Sequence, residues 1–153
     1  MLRISKLTDY ATLLLGALAR REGQCLPASV LAEETRLEPP TVAKVLKTLA
    51  RSELVDSVRG VNGGYRLNLA ADQISVAAIV RAMEGPIALT ECSLEPGLCS
   101  HEASCQLSGN WRRIGEAVER TLESLSLADL IDEAPGRIAI RTVVLEPAAP
   151  TQG

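Results

Sequence analysis

Leu7, Ala11, Leu14, Leu15 and Leu18 recur at three- and four-residue intervals, a period that predicts an amphipathic helix over residues 5–22. Gly23 and Gln24 end it. Pro27 opens a second helix over 27–35, because the first helical position loses nothing by lacking an N–H. Val30 and Leu31 face inward there, and Glu33 and Glu34 outward. After a turn over 36–39, a third helix starts near Pro40 and runs to about Ser52. Val42, Val45, Leu46 and Leu49 line one side of it. Thr41, Lys44, Lys47 and Arg51 line the other, so one face is buried and the opposite face is cationic.

The period then drops to two. Residues 54–59 and 64–69 each alternate apolar and polar positions around Gly60-Val61-Asn62-Gly63-Gly64, which holds an Asn-Gly turn signal. A β-hairpin with a glycine-rich tip is expected. Ser75 caps a further helix to Glu84, carrying Val76, Ile79, Val80 and Met83, and Gly85-Pro86 stops it. A cysteine-bearing loop follows over 91–109. From Trp111 to Ile131 the apolar positions Ile114, Val118, Leu122 and Leu125, extended by Leu127, Leu130 and Ile131, predict one long helix of about 30 Å. Such a length suits pairing with a second copy better than packing on its own small domain. After Glu133 periodicity fades; Ile138–Leu145 allow a strand, but a mobile tail over 133–153 is the expectation.

Composition adds three constraints. Without Phe, and with one Trp and two Tyr, the core must be aliphatic. The net charge of −3 argues against a basic chain overall, yet the halves differ. Residues 1–66 carry ten Lys+Arg against seven Asp+Glu, and residues 67–153 carry six against twelve. A basic face can therefore hide in an acidic total. The apolar run from Ala11 to Ala19 faintly resembles a signal peptide, but Thr12 interrupts it and Arg20-Arg21 follow, so a core helix explains it better. No stretch approaches the ~20 apolar residues of a membrane span. A cytoplasmic, reducing setting is the expectation, where clustered cysteines suggest metal or redox chemistry.

Helix, short turn, cationic helix, then hairpin is the order of a winged helix-turn-helix. The expected fold is mainly α with a small β-hairpin: a DNA-binding domain over 1–70, a connecting helix within 71–90, the cysteine loop, and a C-terminal dimerisation helix over 110–132. A recognition helix fits the major groove, where base edges carry a full donor and acceptor code. Lys44 and Lys47 would project there, with Thr41 reaching an edge or a phosphate. Arg59 and Gly60 on the hairpin tip suit a minor groove, whose negative potential attracts a guanidinium. Arg51 and Arg66 are better placed for phosphates. Each cation alone reads equally well as a solvated surface residue; the combination is what points to double-stranded DNA.

Cys92, Cys99 and Cys105 form a Cys-x6-Cys-x5-Cys pattern. A disulfide would leave one thiol over. Zinc has three cysteines and His101, the only histidine, but it prefers tight cysteine pairs, and none is present. An iron–sulfur cluster is larger, so its thiolate ligands can lie farther apart. The fourth cysteine, Cys25, sits beside the DNA-reading unit and reads as an inert thiol.

The segment LTDYA, the hairpin SVRGVNGGYRL and the cysteine triplet followed by a Trp-led helix resemble the iron–sulfur-responsive winged-helix regulators of the Rrf2 family, over roughly residues 1–131. That family includes repressors of the Isc and Suf cluster-assembly operons and a nitric-oxide-sensing repressor. The resemblance implies a homodimer, a long dimerisation helix and a two-iron or four-iron cluster held by the three cysteines. The Isc-type regulators place a histidine three residues after the last cysteine; here that position is Ser108, a poor iron ligand and a natural helix cap. Asp9 matches the aspartate that the nitric-oxide sensors donate from the other subunit, and His101 is the alternative within the loop. The missing histidine and the longer loop point to a Suf-operon repressor, with a nitric-oxide sensor as its sibling. The rival readings are an iron–sulfur carrier without DNA binding and a zinc or thiol interaction module. No triad, paired-carboxylate cleft or phosphate loop suggests an enzyme.

Overall fold

The computed structural model describes residues 4–95, 97–100 and 104–132. Helix α1 spans Lys6–Ala19, α2 Ala28–Thr35 and α3 Pro39–Arg51. Strands β1 (Val55–Val58) and β2 (Gly64–Leu67) form an antiparallel hairpin pairing Val55 with Leu67 and Val58 with Gly64. A 3-10 turn over Ala71–Gln73 leads to α4 (Val76–Glu84), and then come α5 (Glu91–Leu94), α6 (Ser108–Glu123) and α7 (Leu127–Ile131).

The apolar stripes define the core. Ala11, Leu14 and Leu15 of α1, Leu31 of α2, and Val42, Val45, Leu46 and Leu49 of α3 are all fully buried, joined by Ile79 of α4. Two helix ends take the left-handed conformation at non-glycine residues. At Arg36 (φ 56°) the Leu37 amide reaches the Ala32 carbonyl, and at Glu53 (φ 58°) the Leu54 amide reaches Leu49. These closures satisfy the last carbonyls and turn the chain sharply into α3 and into the wing.

Two connections lie outside the expected pattern. Leu26 pairs with Tyr65 through main-chain bonds in both directions, tying the segment before α2 to the hairpin. Residues 74–76 also pair with 125–127: the Val76 amide donates to Leu125 and the Leu127 amide to Ile74.

The second connection corrects the long helix expected over 111–131. It begins earlier, at Ser108, and stops at Glu123. Ser126 then caps α7 in a reciprocal box with Asp129. Leu127 is fully buried in the core, and Ile131 lies so close to α1 that a Cβ on Gly16 would come within 3.0 Å of its Cγ2. The last part of the expected dimerisation element therefore packs on its own chain. Ser126-x-x-Asp129 stops the helical register because two orphan amides are better satisfied by the box than by continuing the helix. A second correction concerns Ser108: it is the first helical residue, with Leu107 at the cap position, and its hydroxyl donates to the Cys105 carbonyl at 3.2 Å. The first helix also ends at Ala19 rather than 22. The tail expected over 133–153 lies outside the described residues.

Candidate DNA interface and cysteine loop

The reading surface is built on α3. Its four buried aliphatic side chains fix the helix roll, which leaves Lys44, Lys47 and Arg51 exposed and Thr41 half-buried near the first turn. Pro39 and Pro40 occupy the first positions, where no intrahelical N–H is needed. The hairpin carries Arg59, Gly60 and Val61 at an exposed tip closed by a hydrogen bond from Gly63 to the Gly60 carbonyl at 2.9 Å. Gly60 has φ 115°, and a Cβ on Gly63 would clash with the Val58 carbonyl at 2.4 Å. The sharp tip thus depends on glycine at both positions. Arg66 pairs across the strands with Asp56, Nη2 to Oδ2 at 3.1 Å, an exposed ion pair on the wing.

The cysteine loop joins α4 to α6. Gly85 (φ 89°) terminates α4, Cys92 lies in the single turn of α5, and Gly97 (φ 88°) bends the chain onward. Cys99 and Cys105 are half-buried and free, as is Cys25. His101 lies outside the described residues. Asp9 stands exposed in the first turn of α1, its amide bonded to the Ser5 carbonyl. Among the described residues no three Cys, His, Asp or Glu side chains gather as a metal site.

Asp9 borders an apolar cleft of about 730 Å³ between α1, α4 and the C-terminal helices, lined by Leu13, Val80, Leu122, Leu125 and Leu130 among others. Leu13, Trp111, Ile114 and Leu130 remain substantially exposed. Close by, Glu84 at the end of α4 accepts from the Ser5 amide at 3.0 Å and from the Thr8 hydroxyl. Bonds from Ser5 and Thr8 hold its carboxyl below the ordinary glutamate range. Across the α4–α6 contact, Arg81 pairs with both Glu119 and Glu123. Neither link was foreseen from sequence, although Glu119 and Glu123 stand four apart on one helical face and so signal a shared cationic partner.

A family model described as iron-dependent transcriptional regulator, Rrf2, matches residues 4–133. The chain belongs to the Rrf2 family. It is similar to the HTH-type transcriptional regulator IscR of Erwinia tasmaniensis, 31% identical over 116 residues, covering 76% of this chain and 69% of that protein. Among solved structures, CymR of B. subtilis, a global cysteine regulator, superposes with a TM-score of 0.65 at 31% identity, over 86% of this chain and 97% of that one. IscR of T. potens superposes with a TM-score of 0.61 at 28% identity, over 87% and 88% of the two chains. The mainly helical fold with its two-stranded wing is that of these Rrf2 regulators. The chain is accordingly an IscR-like, DNA-binding transcriptional regulator, and its relatives are regulators rather than enzymes. No helix among the described residues is long and apolar enough to cross a membrane.

Proposed function

We propose that this Rrf2 regulator is a cytoplasmic homodimeric repressor of iron–sulfur assembly genes of the Suf type, whose grip on its operator is set by an iron–sulfur cluster. The observation that carries this reading is the cysteine triplet on the loop joining α4 to α6, between a helix packed on the DNA-reading head and a helix with exposed apolar side chains. The donor set fits the group. Soft thiolates suit iron and sulfide, Cys99 and Cys105 are free, and a loop bent at Gly97 allows wide ligand spacing.

Cys92, Cys99 and Cys105 would hold the cluster, and Asp9 of the partner subunit would complete it. Supply from the other subunit suits the exposed position of Asp9 on the first turn of α1. It also suits the position of Asp9 on the border of an open apolar cleft. When bound, the cluster supplies a bridge between subunits that oxidation, nitric oxide or iron shortage can dissolve.

The chain's own residues do the rest. Thr41, Lys44 and Lys47 enter the major groove, Arg59 and Gly60 the minor groove, and Arg51 and Arg66 meet phosphates. Two half-sites are read by two heads at a set spacing, so freeing the turn that carries Asp9 shifts that spacing and the affinity with it. Asp9 and the three cysteines, held together or released, would thereby favour one of two dimer geometries.

Anaerobic purification with iron and sulfide analysis tests the reading. A visible absorption band and stoichiometric iron and sulfide are expected, lost in Cys99→Ala. Asp9→Ala should hasten cluster loss; if His101→Ala does so instead, the fourth ligand comes from the loop. A colourless protein that resists reconstitution would overturn the proposal.

A further inference from the structure

Helices α4 and α6 run antiparallel and are pinned by main-chain bonds at one end. At that end the 74–76 and 125–127 segments exchange main-chain bonds, Val76 amide to Leu125 carbonyl at 2.8 Å and Leu127 amide to Ile74 carbonyl at 2.7 Å. From the other end springs the loop with the three cysteines. Between the two ends the apolar packing is incomplete: a cleft of about 380 Å³ opens at the seam, lined by Val80 of α4, Val118 and Leu122 of α6, and Ile87 and Leu89 of the loop's first residues. Beyond the pin, Arg81 bridges the helices. Its Nη1 donates to Glu123 Oε1 at 3.1 Å and to Glu119 Oε1 at 2.5 Å. Glu119 and Glu123 are one helical turn apart, so one guanidinium joins adjacent turns of α6.

We propose that the Arg81–Glu119–Glu123 triad is a clasp that sets the separation of α4 and α6, and thereby the mouth of the loop in which Cys92, Cys99 and Cys105 must converge. Single exposed ion pairs contribute little, but a cation shared by two carboxylates across a poorly packed seam acts on the geometry that the seam leaves loose. The triad lies outside the DNA-reading face, and α4 packs directly on α1 and α3. The clasp therefore ties α6, which follows the loop, to the helix that packs on the reading head. Arg81 is a positioning residue: it acts through Glu119 and Glu123. The effect on cysteine convergence rests on the cluster reading above; the effect on helix separation does not.

Three proteins test it: the parent, Arg81→Gln, and the fully reversed triad R81E/E119R/E123R. In metal-free protein, hydrogen exchange over residues 108–119 should quicken about three- to tenfold in Arg81→Gln, and the reversed triad should restore it. Exchange in α3 and operator affinity of the metal-free form should stay within about twofold of the parent. In cluster-loaded protein, Arg81→Gln should lose its absorption band in air about three- to tenfold faster, again restored by reversal. Unchanged exchange over 108–119, or a reversed triad no better than Arg81→Gln, overturns the clasp. A parent that takes up no cluster defeats the cluster reading instead, and the exchange measurement alone then decides the clasp.

Discussion

Leu26 and Tyr65 exchange main-chain hydrogen bonds, 2.9 Å from the Leu26 amide and 2.8 Å from the Tyr65 amide, and so lock the wing to the start of α2. The contact is possible because Gly64 has no side chain. A Cβ there would fall 2.4 Å from the Leu26 carbonyl carbon and oxygen, and its φ of 153° already disfavours other residues. Gly64→Ala must push the wing off α2. We expect a loss of about 2 kcal/mol or more in chemical denaturation and operator binding weakened at least about tenfold. A variant as stable as the parent would show that the bridge does not hold the wing.

Ser126 ends the C-terminal helical run. Its hydroxyl accepts from the Asp129 amide at 3.2 Å, while Asp129 Oδ2 accepts from the Ser126 amide at 2.8 Å. Ser126→Ala should cost about 1 kcal/mol and quicken hydrogen exchange over residues 127–131 before the rest of the core. The bonds from Ser126, its amide first, hold the Asp129 carboxyl below its ordinary value. Because that value is depressed in the folded chain, the cap is at full strength above the ordinary carboxylate range and weakens only as acid protonates Asp129.

Glu53 offers a stabilising change. It sits at φ 58° where α3 turns into β1, with its side chain in solvent. Glycine adopts that conformation without the Cβ penalty, so Glu53→Gly should raise stability by about 0.5–1 kcal/mol. A higher urea midpoint with an unchanged slope is the expected signature; a lower midpoint would contradict it.

Lys44 and Arg59 test whether DNA reading is separable from the cysteine loop. Both are exposed, one on α3 and one on the wing tip. Each alanine variant should weaken operator binding by about 1–3 kcal/mol, and Arg59→Ala should also reduce the salt dependence by about one unit of slope. The absorption of the loaded protein should not change. Loss of colour in either variant would mean that head and loop are not separable in this way.

Much of this was legible in the chain because each signal was local. Val42, Val45, Leu46 and Leu49 fall at helical spacing and all are fully buried. The Asn62-Gly63 tip marks the hairpin, and Ser75 caps α4 as read, its hydroxyl accepting from Ala78. The break at Ser126 was also local, but the apolar period of Leu122, Leu125 and Leu127 runs through it and hides it. Periodicity alone cannot tell a helix that continues from one that restarts in a new direction. The remaining features are long-range. Glu84 meets Ser5 and Thr8, and Arg81 meets Glu119, across dozens of residues, and only the packing of α4 against α1 and α6 brings them together. Cys92, Cys99 and Cys105 announced a shared partner through their spacing, whereas Asp9 stands on the first turn of α1, and its proposed link to them would come from the other subunit.

The most direct measurement is operator affinity, at one fixed salt concentration, for the anaerobically loaded dimer and for the same sample after its iron is removed. Control of DNA reading by the cysteine loop predicts affinities that differ by at least about tenfold, with the difference abolished in Cys99→Ala. Equal affinities for the two forms would contradict it.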